Sequence, residues 1–147
     1  QGLYAKEYAF TDALKAHCRL VYGMKAKDPE LLQFIGTDVF RNRVNKDTWV
    51  NILVETIREQ QPDIAIVTDV RFPNECLAIK ENFGGYLVKV ERTNEDFIQL
   101  LSNDRDPKHS SETALDNYPS WDMDIRACSL TALEALARSA LNEIIGL

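Results

Sequence analysis

The chain has 147 residues, enough for one domain that buries its own core without disulfide staples. Its 45% hydrophobic and 27% charged residues are the balance of a globular protein, and no apolar run nears the roughly 18 residues of a membrane span. A formal net charge of −6 sets aside a nucleic-acid duplex or an anionic membrane as the main partner, since both recruit positive fields, but it leaves room for a local basic pocket.

In chain order, "YAKEYAF" (4–10) reads as a short strand and "TDALKAHCRLVYG" (11–23) as a helix stopped by Gly23. "DPELLQFIG" (28–36) has Asp28 at the N-cap, Pro29 at the first helical position and Gly36 at the exit. Asp47 is placed to cap a helix reaching about Gln61, with Val50, Leu53, Val54 and Ile57 on one face. "DIAIVTDV" (63–70) is apolar on both faces, as a strand buried in a parallel sheet would be. Pro73 and Asn74 open a helix that ends at Gly84-Gly85, and "YLVKVER" (86–92) alternates as a strand.

Residues 93–119 are polar and read as an excursion, "DMDIRA" (122–127) as a last strand. In the final helix Thr131 and Glu134 have the spacing of a capping box, and Leu133, Leu136, Ala140, Leu141 and Ile144 share a face. Cys18, Cys76 and Cys128 lie far apart with no C-x-x-C spacing, which predicts reduced, buried thiols and a cytoplasmic protein without a signal peptide. The first residue is Gln1 rather than Met, so the gene is expected to start further upstream.

Strands separated by helices predict an α/β domain with a parallel sheet, whose ligands bind beyond the C-terminal strand ends. Asp69, Arg71 and Arg92 all follow strand ends and are candidates for one anion-binding rim, because the guanidinium fork suits phosphate oxygens. Asp69 reads equally as a helix cap or a partner for Arg71, and Arg92 as a solvated charge. "GTDVFRNRVNKDTWV" (36–50) presents Arg41, Arg43 and Lys46 ahead of Trp49: either a basic turn beside a half-buried tryptophan, or a clamp with an aromatic for stacking. "NDRDPKHSSE" (103–112) is either a solvated loop or a cationic lid over a phosphate. His109 suits a hydrogen-bonding lid role, and with only His17 as a second histidine an all-histidine metal site is not expected.

In order along the chain, "AFTDALK", "LLQFIGTDVFRN", "TDVRFPNE", "GGYLVKVER" and "HSSETALDNY…WDMDI" resemble the deoxynucleoside monophosphate kinases of phages and bacteria. The resemblance covers almost the whole chain, and the D-x-R-F-P-N-E and H-x-S-E runs are specific in combination. It implies a three-layer P-loop kinase fold with strand order 2-3-1-4-5, here as a single domain over 1–147 with a lid at about 93–119. It further implies transfer of the ATP γ-phosphoryl group to a deoxynucleoside 5′-monophosphate with Mg²⁺. By the same resemblance Asp69 stands where such kinases keep a carboxylate near Mg²⁺, with Asp69, Arg71 and Arg105 as catalytic residues. Arg41, Trp49, Arg71, Phe72, Asn74 and Glu75 fall on the monophosphate side, and Arg92, Arg105, His109, Ser111 and Glu112 on the hinge and lid.

Two departures stand out. No G-x-x-x-x-G-K-[ST] run is present, and with it goes the family's first, central strand, so a slot between two apolar strands and an N-terminally incomplete domain are expected. "IRACS" (125–129) also stands where the family has an Asn near Ala127. Two alternatives remain beside the leading reading. "SETALD" (111–116) also matches the lid of animal-type phosphomevalonate kinases. An inactive scaffold of the same fold would offer its sheet slot to a partner, including a neighbour's strand in a homodimer.

Overall fold

Four short parallel strands, six α-helices and one π-helix make up the described residues of the computed structural model, which are 2–93 and 108–146. They divide into two compact units, residues 2–78 with 108–116 and residues 79–93 with 117–146. Each is α/β, with a parallel strand pair and helices, as in a P-loop kinase-like architecture. No helix among the described residues is long and apolar enough to cross a membrane.

In the first unit, β1 (Ala5–Tyr8) pairs with β2 (Ile64–Val67) in the register Ala5↔Ile64 to Tyr8↔Val67. Gln60 holds the edge of the pair, its Oε1 accepting from Tyr8 Oη at 2.9 Å and from Lys6 Nζ at 2.7 Å. The two-sided burial expected of 63–70 is not what forms. Ala65 is exposed and Ile66 is 45% exposed, because β1 is the one strand beside β2 among the described residues.

Helix α1 (Thr11–Tyr22) ends where expected, at Gly23, whose φ of 67° suits a residue without a Cβ. Helix α2 (Pro29–Gln33) is capped by Asp28, which accepts from the Leu31 N–H at 2.9 Å. Gly36 does not end this helix. The chain continues directly as a π-helix, Phe34–Val44, closed by the Asn45 N–H on the Phe40 carbonyl at 2.8 Å. The glycine is there for packing, since a Cβ on Gly36 would lie 2.6 Å from Leu14 Cδ2. The π-helix also replaces the expected turn around Arg41 and Arg43.

Helix α3 (Thr48–Gln60) buries Trp49, Val50, Leu53, Val54 and Ile57, the predicted stripe with the tryptophan added. Asp47 sits at its N-cap without capping it, because its carboxylate accepts instead from Asn74 Nδ2 at 2.8 Å. Leu14, Cys18, Leu32, Ile35 and Trp49 form the unit's hydrophobic cluster. Cys76 is buried as well, at the start of helix α4 (Pro73–Phe83), whereas Cys128 of the second unit is exposed, against expectation.

In the second unit β3 (Val88–Arg92) pairs with β4 (Met123–Ala127), register Val88↔Met123 to Arg92↔Ala127. Asp122 fastens the start of the pair by accepting from the Leu87 N–H at 2.6 Å while pairing with Lys80. Helix α6 (Leu130–Ile145) packs on β4 and buries Ala140. Leu136 and Leu141 of the predicted stripe stay exposed, since a two-stranded ribbon is too narrow to cover it. Its cap is Ser129, accepting from the Ala132 N–H at 3.2 Å, not the Thr131–Glu134 box.

Candidate anion-binding site

Beyond the ends of β1 and β2 lies a cavity of about 480 Å³, walled by the start of α1, the π-helix, the turn after β2 and residues 111–112. Four cationic side chains line it: Lys15, Lys27, Arg41 and Arg71. Trp49 and Phe72 supply aromatic wall, and five acidic residues, Glu7, Asp12, Asp69, Glu75 and Glu112, line it as well. Its position follows from the rule for parallel sheets, in which strand ends and helix starts converge.

The "DVRFPNE" run builds most of one wall. Asp69 Oδ1 accepts from the Phe10 N–H at 2.7 Å, and Oδ2 from the Thr11 N–H at 2.9 Å and Thr11 Oγ1 at 2.7 Å. The carboxylate thereby caps α1 from another part of the chain, supplying what its N-cap residue, Phe10, lacks. Three of its roughly four lone-pair positions are engaged this way, so a cation there would compete with the cap.

Glu75 holds the turn itself. Its Oε2 accepts from the Arg71 N–H at 2.7 Å and the Phe72 N–H at 3.0 Å, while Oε1 takes Arg41 Nη2 at 2.6 Å. Both partners of this ion pair are nearly dry, with 9% of the Arg41 side chain and 4% of that of Glu75 exposed. Burial pushes the Glu75 carboxyl up to about 7, against the pull of the Arg71 N–H, the Arg41 charge and the Phe72 N–H. Burial likewise draws the Arg41 guanidinium below its ordinary value, with Glu75 opposing. Arg41 also lies over the Phe72 ring, 3.6 Å from its centroid, and donates to Asn74 Oδ1 at 2.8 Å. Asn74 in turn donates to Asp47 and to the Lys46 carbonyl. Arg41 Nε is buried without a hydrogen-bond partner.

Arg71 is the more accessible arginine, its side chain 38% exposed, and it donates from Nη1 to Glu112 Oε2 at 2.6 Å. Glu112 belongs to the short helix α5 (Ser110–Thr113), capped by His109, whose Nδ1 accepts from the Ser111 N–H at 3.2 Å. That role puts the ring hydrogen on Nε2, which faces Asp38 Oδ1 of the π-helix at 3.7 Å. Glu112 thus ties this short segment to Arg71 on the cavity wall.

The structure brings Arg41, Trp49, Asp69, Arg71, Phe72, Glu75, Ser111 and Glu112 to one cavity, with Asn74 just behind Arg41. Trp49 is buried rather than half-buried; its Nε1 donates to the Gly36 carbonyl at 3.1 Å and its ring packs on Phe40. Arg43 and Lys46 are exposed and do not line the cavity. Arg92 ends β3 in the second unit, and Arg105 lies outside the described residues. Sequence reasoning missed Thr11, Lys15, Lys27 and Asp38. The first two sit in "TDALK" one turn apart on a predicted helix start, which was a usable signal; Lys27 and Asp38 had none.

Among the described residues no group of three or more His, Cys, Asp or Glu side chains is arranged to hold a metal ion. The 147 residues contain no G-x-x-x-x-G-K-[ST] run to cradle ATP phosphates. The wall combines cations and aromatic surface with carboxylates, three of which, Asp69, Glu75 and Glu112, are already engaged by protein donors. Such an arrangement can take an anion carrying a ring at its cationic side.

The family model described as deoxynucleotide monophosphate kinase matches residues 27–133. A deoxynucleoside-5′-monophosphate kinase of Escherichia phage T5 is 38% identical over 61 residues, 42% of this chain and 24% of that protein. A provisionally named deoxynucleotide monophosphate kinase of Acanthamoeba polyphaga mimivirus is 31% identical over 105 residues, 64% of this chain and 50% of that protein. The chain therefore spans a quarter to a half of the length of these relatives. With the family model covering most of its residues, the chain belongs to the deoxynucleotide monophosphate kinase family.

Proposed function

We propose that the cavity is a nucleoside-monophosphate site, binding a deoxynucleoside 5′-monophosphate as the phosphoryl acceptor of an ATP-dependent kinase reaction. One observation carries the reading: Lys15, Lys27, Arg41 and Arg71 line a single cavity that also holds Trp49 and Phe72. Phosphoryl transfer asks a protein mainly for alignment and charge neutralisation, and cations with few acid–base groups are the expected inventory. In this reading Arg71 takes the phosphate and residues 109–112 form part of a lid. Asp69 keeps the wall in register by capping α1, and the catalytic part assigned to it and to Arg105 by resemblance belongs to the same proposal. ATP and Mg²⁺ are the co-substrate and metal that family membership implies, used in the cytoplasm. A nucleic-acid duplex and a membrane are not partners in this reading.

Calorimetric titration with dAMP, dCMP, dGMP, dTMP and phosphomevalonate tests it. The expected result is saturable binding of at least one deoxynucleotide, weakened by about 2 kcal/mol in Arg71→Ala, the scale of a lost charge-assisted contact. Binding of phosphomevalonate alone would assign the chain to the other kinase reaction. Binding of none of the five would point to the scaffold role, and native mass spectrometry would then look for a homodimer.

A further inference from the structure

We propose that Glu75 is a positioning residue for phosphate recognition, fixing Arg41 and the Arg71–Phe72 turn as one rigid cationic wall. The inference rests on the monophosphate reading of the cavity and deepens it.

A carboxylate on the wall of an anion site has to be explained, since facing a phosphate it would repel. Glu75 does not present free oxygens. Its Oε1 is taken by Arg41 Nη2 at 2.6 Å, and its Oε2 by the N–H groups of Arg71 and Phe72 at 2.7 and 3.0 Å. The residue is 3% exposed, so these partners are gripped where water does not compete. One carboxylate thus joins an arginine of the π-helix to the turn that carries the other arginine, 34 residues along the chain from Arg41 to Glu75.

The surrounding contacts restrict the guanidinium further. The Phe72 ring lies under Arg41, and Asn74 holds its other terminal nitrogen while bonding to Asp47. An arginine left free would lose rotamer freedom on meeting a phosphate; here that ordering is completed during folding. The two neighbouring residues of the R-F-P-N-E run, Asn74 and Glu75, therefore act on a ligand through Arg41 and the turn.

The test compares the full chain with its Glu75→Gln variant. Each is titrated with the tightest-binding deoxynucleoside monophosphate and with the corresponding nucleoside, which lacks the phosphate. The expected result is at least tenfold weaker monophosphate binding in Glu75→Gln with nucleoside binding unchanged. Equal losses for the two ligands would make Glu75 merely structural and overturn the proposal, as would unchanged monophosphate affinity.

Wild-type protein that binds no monophosphate overturns the reading of the cavity and this inference with it. Wild-type binding alongside an unaffected variant overturns the inference alone. Should Glu75→Gln fail to fold, Arg41→Met/Glu75→Gln removes the uncompensated buried charge. That double variant is expected to fold and to lose monophosphate affinity at least tenfold, and wild-type affinity in it sinks the proposal.

Discussion

Asp69 caps helix α1 across 58 residues of sequence, its Oδ2 accepting from both the main-chain N–H and the hydroxyl of Thr11. One carboxylate therefore joins the end of β2 to the helix that follows β1, at the mouth of the cavity. Asp69→Ala should cost about 2 kcal/mol of stability and Thr11→Val about 1 kcal/mol, the usual scale of a lost cap. Urea unfolding of the two single variants and the double should give non-additive losses. Full stability in Asp69→Ala would show that the carboxylate serves the ligand instead.

The Arg41–Glu75 pair should make stability fall as pH rises through neutrality. The folded-state carboxyl is pushed up to about 7 from an ordinary 4.5, so between those values the folded chain holds a proton the unfolded chain has released. The contribution is complete below about 4.5 and is lost as pH rises through about 7. Chemical denaturation between pH 5 and 8 should show the decline in wild type and a flatter profile in Glu75→Gln. A wild-type profile that rises across this window would contradict the assignment.

Gly36 should not tolerate even one methyl group. A Cβ there would sit 2.6 Å from Leu14 Cδ2, and Leu14 is itself packed in the core with Cys18 and Trp49. Gly36→Ala is expected to cost about 1–3 kcal/mol through overpacking. Trimming Leu14 in the same chain should recover part of that loss, and the midpoint of thermal unfolding is the readout.

Glu112 occupies Arg71 with a carboxylate, as a phosphate would. Glu112→Gln should free that guanidinium and tighten monophosphate binding by about two- to fivefold, the modest scale of a partly exposed ion pair. Weaker binding in this variant would mean that Glu112 holds Arg71 in its productive position.

In the second unit, Ser129→Ala should destabilise by about 1 kcal/mol through the lost cap on α6, while Thr131→Ala stays within about 0.5 kcal/mol. Circular dichroism melts of the two variants separate the observed cap from the one the spacing suggested.

Much of the architecture was legible because it depends on local chemistry. Gly23, Asp28 with Pro29, and the apolar spacing from Val50 to Ile57 mark their helices through effects that act within a turn or two. The π-helix was not legible. Its i→i+5 bonding departs from the 3.6-residue period by which a helix is recognised, and its place depends on Gly36 meeting Leu14 and Trp49. The expected cap at Asp47 does not form because a distant donor, Asn74, takes its carboxylate, and the one at Thr131 gives way to a local competitor, Ser129, which accepts from the Ala132 N–H.

For the site, the sequence by itself determined that "TDVRFPNE" ends a strand in charges suited to an anion, and that the motifs are those of a kinase family. Only the tertiary structure decided what each charge does. Side chains of one run point to different partners, so Asp69 turned to α1, Glu75 to Arg41 and its own turn, and Arg71 to Glu112. Their spacing along the chain is compatible with either a cap or a ligand. The choice rests on which donors folding brings within about 3 Å, a distance set by packing between segments far apart in sequence.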